Sequence, residues 1–84
     1  MTERAITVHV EYFAALRERR GIARESIQTA SATAGALYDE LADRYGFRLD
    51  RSRTRVAVND EVRPWESPLA EGDRVVFLTP FGGG

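Results

Sequence analysis

The segment from Arg74 to Thr79 sets the tightest limit on how this chain can fold. Val75 and Phe77 fall on one side of an extended backbone, and Val76 and Leu78 fall on the other. A strand that is apolar on both faces belongs in the middle of a sheet, with neighbours along both edges. The rest of the chain must supply those neighbours and a cover. Ile6, Val8, Val10 and Tyr12 alternate with Thr7, His9 and Glu11, the period of two that marks a half-buried strand. Glu25 to Thr29 forms a second, weaker strand centred on Ile27, and Arg55 to Val58 a third. Asn59-Asp60 is a turn signal, after which Val62-Arg63 pairs briefly.

One long helix is available as the cover. From Ser31 to Tyr45, residues Ala34, Leu37, Tyr38, Leu41, Ala42 and Tyr45 recur at helical spacing and form a single apolar stripe. Ser31 or Thr33 serves as N-cap, and Gly46 is placed to stop the helix in a left-handed conformation. Phe13 to Arg20 is a shorter helical segment ending at Gly21. Ser67-Pro68-Leu69 is expected to open a single helical turn, with the proline in its first position. Phe47 to Thr54 is expected to be a polar, arginine-rich loop anchored by Leu49. One helix laid across a mixed sheet buries its apolar stripe against an apolar sheet face with the fewest elements, which places the chain in the α+β class.

Composition removes most chemistries. At 84 residues there is room for one domain and a small core, which leaves no space for an elaborate internal active site. The formal net charge of −1 gives no footprint for nucleic acid or an anionic membrane. Without cysteine, a disulfide framework, a thiolate metal site and a cysteine nucleophile are all excluded, and a lone His9 cannot build a histidine metal cluster. No stretch approaches the roughly 20 apolar residues of a membrane span, so the expected location is cytoplasmic. His9 reads as a solvated residue. Trp65 reads as a cap on the core, and the carboxylates of Asp60, Glu61, Glu71 and Asp73 as turn chemistry. Arg48, Arg51, Arg53 and Arg55 read as a solvated loop face. All twelve basic residues are arginine, so no lysine on a sister molecule can capture an activated C-terminus.

The remaining candidate is the end of the chain. Residues 1–80 read as the folded domain and 81–84 as a flexible tail, Phe81-Gly82-Gly83-Gly84. Glycine has no Cβ, so such a tail is thin and can be threaded through a narrow channel into another protein. Its terminal carboxylate is inert until ATP supplies a leaving group by adenylation, after which a sulfur nucleophile can leave a thiocarboxylate at Gly84. Taken alone, the glycines fit a frayed terminus as well.

Three segments resemble one family. Tyr12-Phe13-Ala14-Ala15-Leu16-Arg17-Glu18 with Gly21 is similar to its "FFAxLRExxG" arm, and Val56-Ala57-Val58-Asn59-Asp60-Glu61 to its "VAVNxE" turn. Leu69-Ala70-Glu71-Gly72-Asp73-Arg74-Val75, followed by Pro80-Phe81-Gly82-Gly83-Gly84, is similar to "LxxGDxV…PPVxGG". The family is that of the MoaD/ThiS sulfur carriers, and within it the small subunits of molybdopterin synthase fit best. The resemblance implies a β-grasp (ubiquitin-like) fold and a cycle of sulfur transfer. A MoeB-like, E1-type enzyme adenylates Gly84, a persulfide sulfur converts it to a thiocarboxylate, and the tail enters a MoaE-like large subunit to give its sulfur to cyclic pyranopterin monophosphate. No cofactor is held stably; adenylate and sulfur are carried transiently.

Carried over onto this sequence, Gly84 and Gly83 are the reactive pair, and Gly82 fills the variable position before them. Pro80, Phe81, Leu78 and Phe13 are expected on the partner surface, with Arg17 as a charged contact. Phe81 stands where the family has a smaller aliphatic residue, and Thr79 where it often has its first proline. Other readings of the same tail are sulfur carriage for tRNA thiolation, cysteine or thiamine synthesis, a ubiquitin-like protein modifier, and a β-grasp interaction module with no chemistry of its own.

Overall fold

The computed structural model describes residues 5–47 and 51–78. Strands β1 (Ile6–Glu11), β2 (Arg24–Thr29), β3 (Arg55–Val58), β4 (Glu61–Arg63) and β5 (Arg74–Leu78) form one sheet in the order β2-β1-β5-β3-β4. β5 occupies the centre, as its two apolar faces require. It runs parallel to β1 and antiparallel to β3, while β1–β2 and β3–β4 are antiparallel pairs. Helix α1 (Ala14–Arg20) joins β1 to β2, and helix α2 (Ala34–Tyr45) packs across one face.

The core lies between α2 and the sheet. Leu37, Tyr38 and Leu41 of the helix meet Val8, Val10, Ile27, Val56, Val58, Val75 and Phe77 of the strands. These are the inward positions of the period-two pattern and the inner stripe of the helix. Thr33 caps α2, its Oγ1 accepting from the Ala36 N–H at 3.1 Å, and Gly46 ends it at φ 76°. Asn59 and Asp60 make the two-residue β3–β4 turn with φ of 53° and 72°. A turn with two positive φ values matches the twist of a tight hairpin.

Two expectations change. Ser67-Pro68-Leu69 is not a helical turn. Pro68 is extended and bridges Thr33, because the Ser67 and Trp65 carbonyls accept from the Ala34 and Gly35 N–H groups at 3.0 and 2.8 Å. The segment is held straight by orphan donors at the start of α2, a partner far away in sequence. The loop after α2 is not polar throughout either. Phe47 is buried and sits 5.8, 6.4 and 5.9 Å from the rings of Tyr12, Tyr38 and Tyr45, and Arg51–Arg53 form a short 3-10 turn. Leu49, the expected anchor, lies outside the described residues.

Candidate functional site at the root of the C-terminal segment

Parallel pairing of β1 and β5 makes both strands end at the same edge of the sheet, where antiparallel β2 and β3 begin. The chain therefore leaves β5 at Leu78 beside the β1–α1 junction, with Arg55 of β3 directly opposite Leu78. Gly84, Gly83, Gly82, Phe81 and Pro80 lie outside the described residues; Leu78, Phe13 and Arg17 are within them.

The junction is shaped by two backbone choices. Phe13 is extended, and Ala14 takes φ 52°, a left-handed conformation that costs a non-glycine residue roughly 1 kcal/mol. Tyr12 points into the core, whereas Phe13 stays 45% exposed and its carbonyl accepts from the N–H groups of Leu16 and Arg17. Arg17 is exposed on α1. Phe13 and Leu78 are thus brought to one end of the sheet, with Arg17 at its rim.

What holds α1 there is a polar cluster. The Tyr12 hydroxyl donates to Glu25 Oε2 at 2.6 Å, and Arg20 donates Nε to Oε2 and Nη2 to Oε1 at 2.8 and 2.7 Å. Such a bidentate pair fixes direction as well as distance. The Arg20 guanidinium also lies 4.1 Å above the Tyr45 ring. The Arg20 hydrogen bonds hold the Glu25 carboxyl below the usual carboxylate range although burial opposes them. Burial, and then the Glu25 carboxylate, raises the Tyr12 hydroxyl far above its ordinary value. Every member satisfies another, so the cluster orients α1 and offers no free acid or base.

The sheet face away from α2 has its own pattern. Arg24, Glu11, Val76, Ala57 and Val62 are successive cross-strand neighbours on β2, β1, β5, β3 and β4. Val76 and Leu78 are half-buried, Ala57 is buried, and Val62 is 63% exposed. An apolar strip of this kind without a covering element is the mark of a binding surface. Val62, Ala57 and Val76 are not among the partner-surface residues expected from sequence. The available signal was that a strand apolar on both faces, in a chain with one long helix, must leave one face uncovered.

Elsewhere the described residues offer little chemistry. They contain no group of three His, Cys, Asp or Glu side chains able to hold a metal ion. A wide depression lined by Ile6, Ser31, Pro68, Leu69 and Glu71 lies at the opposite end of the sheet, and its one titratable group, Glu71, accepts from the Thr7 N–H at 3.0 Å. No described helix is long and apolar enough to cross a membrane.

A family model described as the ThiS family matches residues 10–84. The chain belongs to the ThiS family. Among curated members, this ThiS-family chain is 35% identical to the molybdopterin synthase sulfur carrier subunit of Mycobacterium tuberculosis, covering 94% of this chain and 99% of that one. It is 32% identical to the subunit of the same name from Haemophilus influenzae, with 92% and 99% covered.

Solved structures share the fold. The small archaeal modifier protein 1 of Haloferax volcanii superposes with a TM-score of 0.74 at 21% identity, covering 89% of this chain and 98% of that one. Caldiarchaeum subterraneum ubiquitin gives 0.64 at 18%, with 96% and 100% covered. A complex of subunits 1 and 2 of the molybdopterin-converting factor from Helicobacter pylori gives 0.63 at 24%, with 94% and 100% covered. The fold is the ubiquitin-like β-grasp.

Proposed function

We propose that this chain is the sulfur-carrying small subunit of a molybdopterin synthase. The observation that carries this reading is its full-length similarity to two sulfur carrier subunits at 32% and 35% identity. The geometry is consistent with it: the last strand ends at an uncovered apolar strip, so a partner docked on that strip lies where the C-terminal segment departs.

The chemistry resides at Gly84. Its carboxylate attacks the α-phosphorus of ATP on a MoeB-like enzyme and expels pyrophosphate. A persulfide sulfur then displaces AMP, and a thiol cleaves the remaining S–S bond to leave the thiocarboxylate. Gly83 and Gly82 keep the segment narrow. Pro80, Phe81, Leu78 and Phe13 meet the partner, with Arg17 as a charged contact. In a MoaE-like large subunit the sulfur passes to cyclic pyranopterin monophosphate, and Gly84 returns to a carboxylate. The chain carries adenylate and then sulfur through these steps.

The likeness to an archaeal modifier protein favours a second reading, in which activated Gly84 is captured by an amine of a target protein. Intact-mass measurement separates the two. With ATP, an E1-type enzyme and a persulfide donor, sulfur carriage predicts a gain equal to exchange of one oxygen for sulfur, abolished by deleting Gly84. The modifier reading predicts covalent adducts on other proteins instead. No change with any adenylating enzyme of the same cell overturns both.

A further inference from the structure

The arginines of this chain divide by position. Arg74, at the start of β5, forms an ion pair with Asp60. Arg44 pairs with Glu40 and Arg51 with Asp39 along α2, Arg63 pairs with Glu61, and Arg20 is spent on Glu25. Like Arg19, whose side chain lies beside Gly46 at the end of α2, Arg17, Arg24, Arg53 and Arg55 are exposed and form no ion pair with any described residue.

Topology gathers these four at one end. Arg24 begins β2 opposite Glu11, the last residue of β1. Arg55 begins β3 opposite Leu78, the last residue of β5, and Arg53 precedes it in the 3-10 turn. Arg17 lies on α1, which follows directly from β1. Among the described residues, Glu11, Glu18 and Asp43 are the carboxylates toward this end that form no ion pair, fewer than the cations there.

At the far end the balance reverses. Asp73 accepts from the Ala70 N–H and from Asn59 Nδ2, Glu71 accepts from the Thr7 N–H, and Asp60 holds Arg74. Among the described residues, unpaired cations thus collect at one end of the strands and hydrogen-bonded carboxylates at the other. Residues 79–84 add no charged side chain, so the cations at their root are not answered locally.

We infer that Arg17, Arg24, Arg53 and Arg55 form a cationic collar around the point where the C-terminal segment departs, and that the protein receiving this segment carries an acidic rim around its entry channel. The inference rests on the carrier reading above and adds the charge of the partner. The collar orients the molecule tail-first before contact, and the apolar strip of Val76, Ala57, Val62 and Leu78 then seals the complex. Exposed charges of this kind act on encounter rate more than on the lifetime of the complex, and salt screens them.

The test is association kinetics of the full chain with the large molybdopterin synthase subunit from the same cell, across about 30 to 500 mM NaCl. Two doubly substituted chains, Arg17→Gln with Arg55→Gln and Arg24→Gln with Arg53→Gln, are compared with wild type and with Arg74→Gln. All these positions are exposed, and two independent pairs guard against one variant misfolding. The expected result is an on-rate about tenfold lower at low salt for each pair, a flattened salt dependence, and an off-rate changed by less than about twofold. Arg74→Gln should follow wild type.

Salt-independent association, or equal losses in Arg74→Gln, overturns the collar. Arginine-dependent binding of a short single-stranded oligonucleotide as tight as that of the protein also overturns it, in favour of a phosphate ligand. If wild type fails to bind the large subunit at any salt, the carrier assignment falls. The same titration against the E1-type enzyme then decides the collar, and no binding there overturns it as well.

Discussion

Gly35 illustrates how a single atom governs the start of the main helix. A Cβ at this position would stand 2.9 Å from Arg51 Nη2 and 3.2 Å from the Trp65 carbonyl oxygen. The arginine can swing aside, but the carbonyl is backbone and already receives the Gly35 N–H at 2.8 Å. Arg51 also lies 5.1 Å from the Trp65 ring, which stacks on Phe77. We expect Gly35→Ala to destabilise the fold by about 1–3 kcal/mol, as overpacking does, read as an earlier midpoint in urea with Trp65 fluorescence as probe. An unchanged midpoint would show that the segment around Trp65 yields freely. Asp60 gives the opposite case. Its φ of 72° suits glycine, and the ion pair with Arg74 is exposed, so Asp60→Gly should stabilise by about 0.5 kcal/mol in the same assay.

At the scale of elements, the anchoring of α1 carries a pH signature. Glu25 sits below the ordinary carboxylate range in the folded state, so its contribution is fully present above the unfolded value near 4.5 and is lost as pH falls through the lower folded value. Wild type should therefore lose stability progressively below about pH 4.5. Glu25→Gln should cost about 1–3 kcal/mol at neutral pH and flatten that acid slope. An equal slope in both proteins would place the acid sensitivity elsewhere.

The elements differ in how openly the sequence announces them. Alternation in β1, the stripe and Gly46 stop of α2, and the doubly apolar β5 are local patterns, and each is legible from neighbours along the chain. Ser67-Pro68-Leu69 carries a local helix-start signal that loses to contacts of the Ser67 and Trp65 carbonyls with Ala34 and Gly35 at the distant start of α2. Phe47 is flanked by Gly46 and Arg48 and looks like loop, but the aromatic cluster that receives it is assembled from two separate segments, Tyr12 after β1 and Tyr38 with Tyr45 on α2. The site divides in the same way. Phe13, Arg17 and Leu78 could be named from sequence, whereas the strip linking Val76 to Ala57 and Val62 exists only once β5 lies beside β3.

For the whole molecule, the position of β5 fixes an order of events. The last of the five described strands in chain order is the one that every other part of the sheet needs: it joins the β1–β2 pair to the β3–β4 pair, which otherwise share no edge. Until it arrives, the chain holds two separate hairpin-like halves, and two-stranded units are marginal alone in water. β5 must therefore have left the ribosome before the sheet can close, and closure pairs residues as far apart in sequence as His9 and Arg74, which slows folding. A product cut short before β5 has no centre and will be cleared as an unfolded chain. Folding thus acts as a check on translation: a molecule whose sheet has closed has been translated at least through β5.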